Sequence, residues 1–547
     1  MRILISNFLT FRNPVAKFVC LLHGREQSRM DPIIKIQDSI HLESLGETLG
    51  LVSQSAKEAL KAKTGVWISD YKRLKQRSHE FAVLQELIKT KGLSLDAQFQ
   101  ELKELEPEIE ALTAQASDLE TEAFNELLFL KPWSTPFNFL PFLLAIWATI
   151  RVYVFPGLAI LMPVMMLILP FLLVRFIFHV PLTVSRYFHM IGAMFTGQIE
   201  SLFNPNAVTS QQPFKFDIFA LAKHGIIIAT VVQSFLQPYW SFQHLSAIDQ
   251  IIQKKADTLI RFQELYATIK DTLSAHGFTL SKNPFASEIT DSRQFVAEAQ
   301  LHPTFLKLAL RNLGALEVLM RAAQRSDLVP VVFSEQEEPL FRLTGAYDYR
   351  IGEGRIPFDI DLGQPNRHAL LTGPNRGGKS TTLRAILTSC ALAHTYGFAF
   401  AKEATMTPFQ HLYVCLTPED LPGKKSRFER EIEFTATTLK ARGKSMVLLD
   451  ELYHSTNPPD ATRACALYTE QLWVRPNTLS IISTHLFDFV ESAPSTIQRL
   501  CCPATEKGDG SIEYTYRLSQ GICRVSSVQE LLVENGLVKQ DVIKGGV

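Results

Sequence analysis

Net charge is the first thing missing from this sequence: 55 lysines and arginines balance 55 aspartates and glutamates across 547 residues. A balanced chain has no global field to draw it to nucleic acid, so contact with DNA would need a local basic surface. Cysteine is scarce too. The seven are scattered and odd in number, and beyond the adjacent pair Cys501-Cys502 they show neither a metal spacing nor a disulfide framework. A reducing, intracellular setting is expected for the water-soluble parts. Proline and glycine are sparse over residues 33–130, and charge is absent from residues 152–174. The first shortage leaves little to break a helix, and the second excludes an ordinary water-facing one. Residues 1–20 mix Arg2, Arg12 and Lys17 with Ile3-Leu4-Ile5 and Phe8-Leu9, and no acid appears before Glu26. This suits a weak targeting segment, without the sustained apolar core or small-residue cleavage site of a secretory signal.

Four regions follow from composition and periodicity. Residues 1–130 are read as a helical N-terminal region. Its apolar residues recur at helical spacing, as in Leu84, Leu87 and Ile88, or Leu102, Leu105, Ile109, Leu112 and Leu119. The heptads are irregular and interrupted at Pro107, which favours packing within one chain over a dimerising coiled coil. Residues 131–190 are read as a membrane segment. From Pro132 to Val174 the one charged residue is Arg151, and residues 152–174 are long enough to cross a bilayer as a helix. The shorter run 137–150 is half of a hairpin turning near Arg151, or an interfacial or re-entrant piece. Arg175, His179 and Arg186 after the run favour a cytoplasmic downstream side. A single span would put the first part of the chain across the membrane, whereas a hairpin keeps both ends together, and the hairpin is the expectation. Residues 191–329 return to helical periodicity, with a run at 226–232 too brief for a span and a core stripe through Leu308, Leu310, Leu313, Leu316, Leu319 and Met320. Strand-like Val329-Pro330-Val331-Val332-Phe333 opens the fourth region, residues 330–547, where strands and helices alternate as in a parallel or mixed sheet covered on both faces.

The chemistry concentrates in that last region. Leu370-Leu371-Thr372-Gly373-Pro374-Asn375-Arg376-Gly377-Gly378-Lys379-Ser380-Thr381-Thr382 follows a buried-strand pattern, opens a helix, and has the G-x-x-x-x-G-K-[ST] spacing of a P-loop. Glycines there let backbone N–H groups turn toward phosphate oxygens, Lys379 supplies a charge for the β- and γ-phosphates, and the Ser380 hydroxyl suits Mg²⁺. The strand-like residues 445–449 end in Asp450, a second candidate for Mg²⁺, and in Glu451, placed to orient and polarise water. A further strand pattern, 478–483, ends in Thr484-His485, and His485 can donate a hydrogen bond toward a γ-phosphate. Glu451, His485 and Lys379 are therefore the candidate catalytic groups, and Ser380 and Asp450 the candidate metal ligands.

These elements together resemble the MutS-type mismatch-repair ATPases. The likeness rests on Gly373-Pro374-Asn375 in the P-loop, on Ser426-Arg427-Phe428-Glu429-Arg430-Glu431, and on Asp450-Glu451 with Ser455-Thr456-Asn457. Ser483-Thr484-His485, and Tyr516-Arg517-Leu518 with Gly521, extend it. The resemblance covers about residues 340–536. It implies ATP and Mg²⁺ as cofactors and a homodimer with composite sites, in which Ser426 acts on the partner's nucleotide while Thr456 and Asn457 lie at the shared interface. Arg355-Ile356-Pro357-Phe358-Asp359 resembles the family's adenine-contacting loop with Arg355 where an aromatic is usual, so stacking passes to its guanidinium or to Phe358. Tyr453 and His454 replace the family's Gly and Arg. No segment before Pro330 resembles the mismatch-reading domain; Phe99-Gln100-Glu101 and Phe262-Gln263-Glu264 fit its aromatic-x-Glu pattern by chance.

The expected fold is an α/β P-loop NTPase domain of the ABC- and MutS-like kind at the C-terminal end, preceded by a mostly α-helical region with a transmembrane helical hairpin. The expected function is a MutS-type, Mg-dependent ATPase that dimerises on ATP and binds DNA in repair or recombination. It is anchored to an intracellular membrane with its ATPase domain facing the cytoplasm. The alternative is a membrane scaffold or remodelling ATPase with no DNA role; a transporter half would need more spans. A basic face for DNA would come from Lys254, Lys255 and Arg261, or from Arg311, Arg321 and Arg325.

Overall fold

The computed structural model describes residues 39–114, 118–196, 218–278, 284–285, 292–416, 426–507 and 511–537. The expected targeting segment, residues 1–20, lies outside the described residues. The chain divides into two compact units that do not follow chain order. The first takes Met1–Glu106, Tyr266–Lys282 and Ala309–Val547; the second takes Pro107–Leu265 and Asn283–Leu308. The P-loop thus shares its unit with the N-terminal helices.

In the first unit, α1 (Leu42–Leu49), α2 (Gln54–Thr64), α3 (Tyr71–Lys91) and the start of α4 (Asp96–Thr113), which passes into the second unit after Glu106, form where the helical periodicity was clearest. Ser53 and Asp70 cap α2 and α3, and Gly50 and Gly92 close α1 and α3 in the left-handed conformation. Two buried carboxylates from distant positions secure α2: Glu106 accepts the N–H groups of Gln54 and Ser55, and Glu317 those of Val52 and Ser53. Pro107 does not end α4, which runs on to Thr113.

These helices dock on the C-terminal half through a few shaped contacts. Trp67 stacks on His394 at 4.2 Å between ring centroids and donates its indole N–H to the Phe409 carbonyl at 2.8 Å. Ser78 Oγ donates to the Val331 carbonyl, and Tyr349 Oη to that of Ile40, both at 2.6 Å. His394 is wholly buried between the Cys390 carbonyl, which takes its Nδ1–H, and the Phe409 N–H, which donates to Nε2. Burial pushes its pKa down to about 4, so the ring is neutral.

The C-terminal half is built on a six-stranded sheet. Its strands are β5 (His368–Thr372), β8 (His411–Cys415), β9 (Ser445–Leu449), β10 (Thr478–Ser483), β11 (Ile497–Cys501) and β14 (Ser519–Gln520), in the order β14-β11-β5-β10-β9-β8. All neighbours are parallel except β14, which runs against β11. Period two then sorts the side chains. Leu371, Met446, Leu448, Leu479 and Ile481 enter one core, with α12 (Lys379–Tyr396). Leu370, Val447, Leu449 and Ile482 enter the other, with α13 (Arg427–Lys440) and α14 (Pro458–Trp473). The expected α/β arrangement is present. A second sheet, ordered β2-β7-β3-β4, joins Val332–Phe333, Glu403–Met406, Phe341–Ala346 and Phe358–Leu362. α11 (Thr304–Gln324) buries Leu310, Leu313, Leu316 and Met320 of the expected stripe.

The second unit differs from expectation at its apolar run. No turn occurs at Arg151: α6 (Pro141–Thr149) passes through a π-helical segment, Ile150–Val154, into α7 (Phe155–Leu172), so that Phe142–Ile177 is one helix. Arg151 is accommodated without a turn because Glu126 pairs with it at 3.1 Å and the Trp147 ring lies beside it. It is the one helix among the described residues long and apolar enough by itself to cross a membrane. The chain reverses only after Ile177. There α8 (Val184–Thr196) lies back against α7, with Tyr187 Oη donating to the Leu167 carbonyl at 2.6 Å. The run at 226–232 is part of α9 (Ile218–Ala275), a 58-residue helix that crosses from the second unit into the first after Leu265. Phe262 is fully buried in α9 and Phe99 is 1% exposed in α4, so neither presents a wedge.

Candidate nucleotide site

Between Thr372 at the end of β5 and Lys379 at the start of α12 the backbone makes the turn that the glycines were expected to allow. Gly373 has φ 144°, and a Cβ there would come 2.9 Å from the Cys502 carbonyl oxygen; Gly378, at φ 103°, caps α12. Arg376 also takes a positive φ, with its guanidinium held by Glu534 at 2.7 Å. The first turn of α12 therefore presents unpaired backbone N–H groups at the loop, the ordinary requirement for holding phosphate.

The buried Lys379 ammonium donates to the carbonyl oxygens of Gly373 and Pro374 at 3.0 and 3.1 Å. Burial lowers its pKa, while the charges of Glu451 and Asp450 act in the opposite direction. Sheet order explains how separate motifs meet, because β10 lies between β5 and β9. Asp450, just past β9, receives the Ser380 hydroxyl on one oxygen at 2.5 Å and the Ser483 hydroxyl, from the end of β10, on the other. Ser483 Oγ in turn accepts the Glu451 N–H at 2.9 Å. Three strand or helix ends thus fix one carboxylate from both sides.

Glu451 has φ 51° and Tyr453 φ 58°, both in the left-handed region that disfavours side-chain-bearing residues. Burial and a 2.6 Å hydrogen bond to Thr435 of α13 hold Tyr453 there. His485 Nε2 lies 3.4 Å from Glu451 Oε1. This close approach of His485, opposed in part by burial, keeps the Glu451 carboxyl below the usual range and hence ionised.

Lys379, Ser380 and Glu451 border a cavity of about 370 Å³. Pro374, Asn375, Arg376, Gly378, Lys379, Ser380 and Thr381 of the loop line it with Glu451, and so do Tyr347, Ile351, Arg355, Ile356, Phe358 and Tyr516. Gly373 and Gly377 shape the loop, Asp450 joins through Ser380, and His485 through Glu451. Arg355 is not free to swing: its guanidinium lies 3.8 Å from the Tyr347 ring centroid and pairs with Asp327 at 3.1 Å. Burial opposes the charge of Asp327, but hydrogen bonds led by Arg325 outweigh it and keep that carboxyl below its ordinary range.

Ser426, Thr456 and Asn457 do not border this cavity. Ser426 forms a capping box with Glu429 at the start of α13, and Asn457 caps α14 by accepting the Asp460 N–H. Sequence reasoning assigned no role to Tyr347, Tyr516 or Ser483. Tyr347 is brought in only by the second sheet, which no spacing signals. Tyr516 and Ser483 sit inside recognised motifs, and Ser483 was detectable as a polar residue closing an apolar strand.

Residues 369–540 match the family model for MutS domain V. This is the ATPase domain of the MutS family, of the P-loop type, and ATP with Mg²⁺ is its general requirement.

Proposed function

We propose that this chain is a magnesium-dependent ATPase that works as a homodimer, each nucleotide lying between two copies, and that its apolar helix holds it at a membrane. The observation that carries the reading is the convergence of two separate sequence elements, the P-loop and the Asp450-Glu451 pair, on one cavity that Lys379, Ser380 and Glu451 line and that Asp450 joins through the Ser380 hydroxyl. Ser380 and Asp450 would hold Mg²⁺, because a hydroxyl and a carboxylate 2.5 Å apart are the oxygen donors a hard cation takes. The metal would neutralise charge on the β- and γ-phosphate oxygens.

This chain's own residues do the rest. The loop N–H groups and the Lys379 ammonium bind and align the triphosphate. Glu451, kept ionised by His485, accepts a hydrogen bond from water and aims it at the γ-phosphorus. Arg355, held over the Tyr347 ring, offers its guanidinium to the base, with Phe358 also lining the cavity. Ser426, Thr456 and Asn457 are left to act on the partner's nucleotide, a reading supported by their absence from their own chain's cavity. Complementation tests the composite site. Lys379→Ala and Ser426→Ala, each inactive alone, should regain turnover when mixed; a mixture that stays inactive contradicts it.

DNA engagement is the finer part of the reading, and a specific observation favours the membrane alternative. Three of the basic residues offered for DNA are already paired: Lys255 with Glu120, Arg321 with Asp96, and Arg325 with Asp327. ATP turnover measured with duplex and branched DNA, and separately with lipid, decides between them. Salt-sensitive stimulation by DNA supports a repair role, and dependence on lipid alone supports a remodelling or scaffold role.

A further inference from the structure

The first compact unit contains residues from both before and after the apolar helix. Residues up to Glu106 and residues from Tyr266 belong to the same body as the P-loop, tied by contacts such as Trp67 to Phe409. A polypeptide that leaves an aqueous body, crosses a bilayer and returns to that body must cross an even number of times. If Phe142–Ile177 is one crossing, as the membrane part of the proposed function holds, another must follow between residues 178 and 265.

The sequence leaves one place for it. α8, at 13 residues, spans about 20 Å, short of the roughly 30 Å of hydrocarbon. Residues 197–217 carry Gln198, Glu200, Asn204, Asn206 and Lys215, and residues 244–265 are rich in Asp, Glu, Lys and Arg. Between them, residues 218–240 of α9 contain only Lys223 and His224 as ionisable groups short of Tyr239, and as a helix measure about 33 Å. Those two residues are why this stretch lacks the plain composition of a span.

We infer that the first part of α9, residues 218–240, is the returning membrane crossing, with a lipid bilayer as the partner of its exposed apolar side chains. Ile226 is 67% exposed, and Val231, Val232, Phe235 and Leu236 are exposed too, a broad apolar face suited to hydrocarbon. Tyr239 and Trp240, also exposed, follow where an aromatic belt belongs. The Phe242 ring meets that of Tyr153 at 5.9 Å, which sets the ends of the two crossings at one level beside Trp147 and Arg151. From that level α7 runs outward and α9 returns. Arg175, His179 and Lys223 then sit at the far surface, opposite to the side that the basic residues after the run suggested.

The test uses the full chain in sealed vesicles with an impermeant thiol reagent, subtracting labelling of the parent chain. Lys91→Cys, on α3, marks the P-loop side. Gln243→Cys should label as Lys91→Cys does, whereas His179→Cys and Lys223→Cys should label only after detergent opens the vesicles. Protection of His179→Cys without protection of Lys223→Cys overturns the inference and leaves the membrane reading standing, as does protection of Gln243→Cys. Labelling of all four before detergent overturns both. For any reporter that does not fold, trypsin on the unaltered chain decides, since cleavage at Arg186 or Lys223 in closed vesicles contradicts the inference.

Discussion

Strand β9 and helix α7 are made from the same kinds of residue and end in opposite surroundings. Met446, Val447 and Leu448 of β9 are fully buried between helices on both faces of the sheet. Leu158, Met162, Met166 and Leu169 of α7 are exposed, and no part of the apolar window in that helix is buried within the chain. Apolar sequence states that water must be excluded; it does not state what excludes it. A five-residue run bounded by Lys444 and Asp450 is covered by its own chain, whereas the run 152–174 is left largely uncovered by the described residues.

The contrast can be broken at its polar edge first. Lys379→Ala removes a buried cation from the phosphate end of the cavity, and Mg-ATP affinity should fall by about 4 kcal/mol, on the order of a thousandfold. Equilibrium titration with a fluorescent ATP analogue reads it. Next comes the apolar pair itself. Leu448→Ala should destabilise the first unit by about 3 kcal/mol through the cavity it leaves, while Leu169→Ala should change the unfolding free energy of its own unit, the second, by less than about 0.5 kcal/mol. Equal effects would mean that α7 is packed after all.

Acid tests the joint between the N-terminal helices and the sheet. His394 and His368 are buried and neutral, with pKa values lowered to about 4 from an ordinary 6.5, chiefly by burial. The unfolded chain therefore binds more protons than the folded one between pH 6.5 and pH 4, so stability is lost as pH falls through that window. Each imidazole should account for about 2 kcal/mol by pH 5. Urea midpoints that stay flat from pH 7 to pH 5 would contradict this. The smallest effect belongs to the base end of the cavity. Arg355→Ala should weaken ATP about fivefold, near 1 kcal/mol, and leave inorganic tripolyphosphate binding unchanged; an equal loss for both ligands would place Arg355 at the phosphates.

Much of the candidate site was legible because P-loop chemistry is local: one loop, one strand end and its carboxylates carry it in consecutive residues. Ser483 was half legible, present in a recognised motif but without its role, since only strand order places it between Asp450 and Glu451. Tyr347 was not legible, because a separate sheet delivers it. Residues 152–174 lie in one apolar helix, as their composition indicated, and the turn expected at Arg151 is absent because Glu126 satisfies the charge and the helix continues. The sharing of one compact unit by α1–α3 and the P-loop was also hidden, for it depends on pairings such as Trp67 with His394 that lie hundreds of residues apart.

The most direct test of the account is a single-turnover measurement with γ-labelled ATP and magnesium, comparing the unaltered chain with Glu451→Gln. The account expects the variant to bind ATP with unchanged affinity and to cleave it more slowly by on the order of a thousandfold. Cleavage by Glu451→Gln at the unaltered rate, or an unaltered chain that retains no ATP in magnesium, would contradict it.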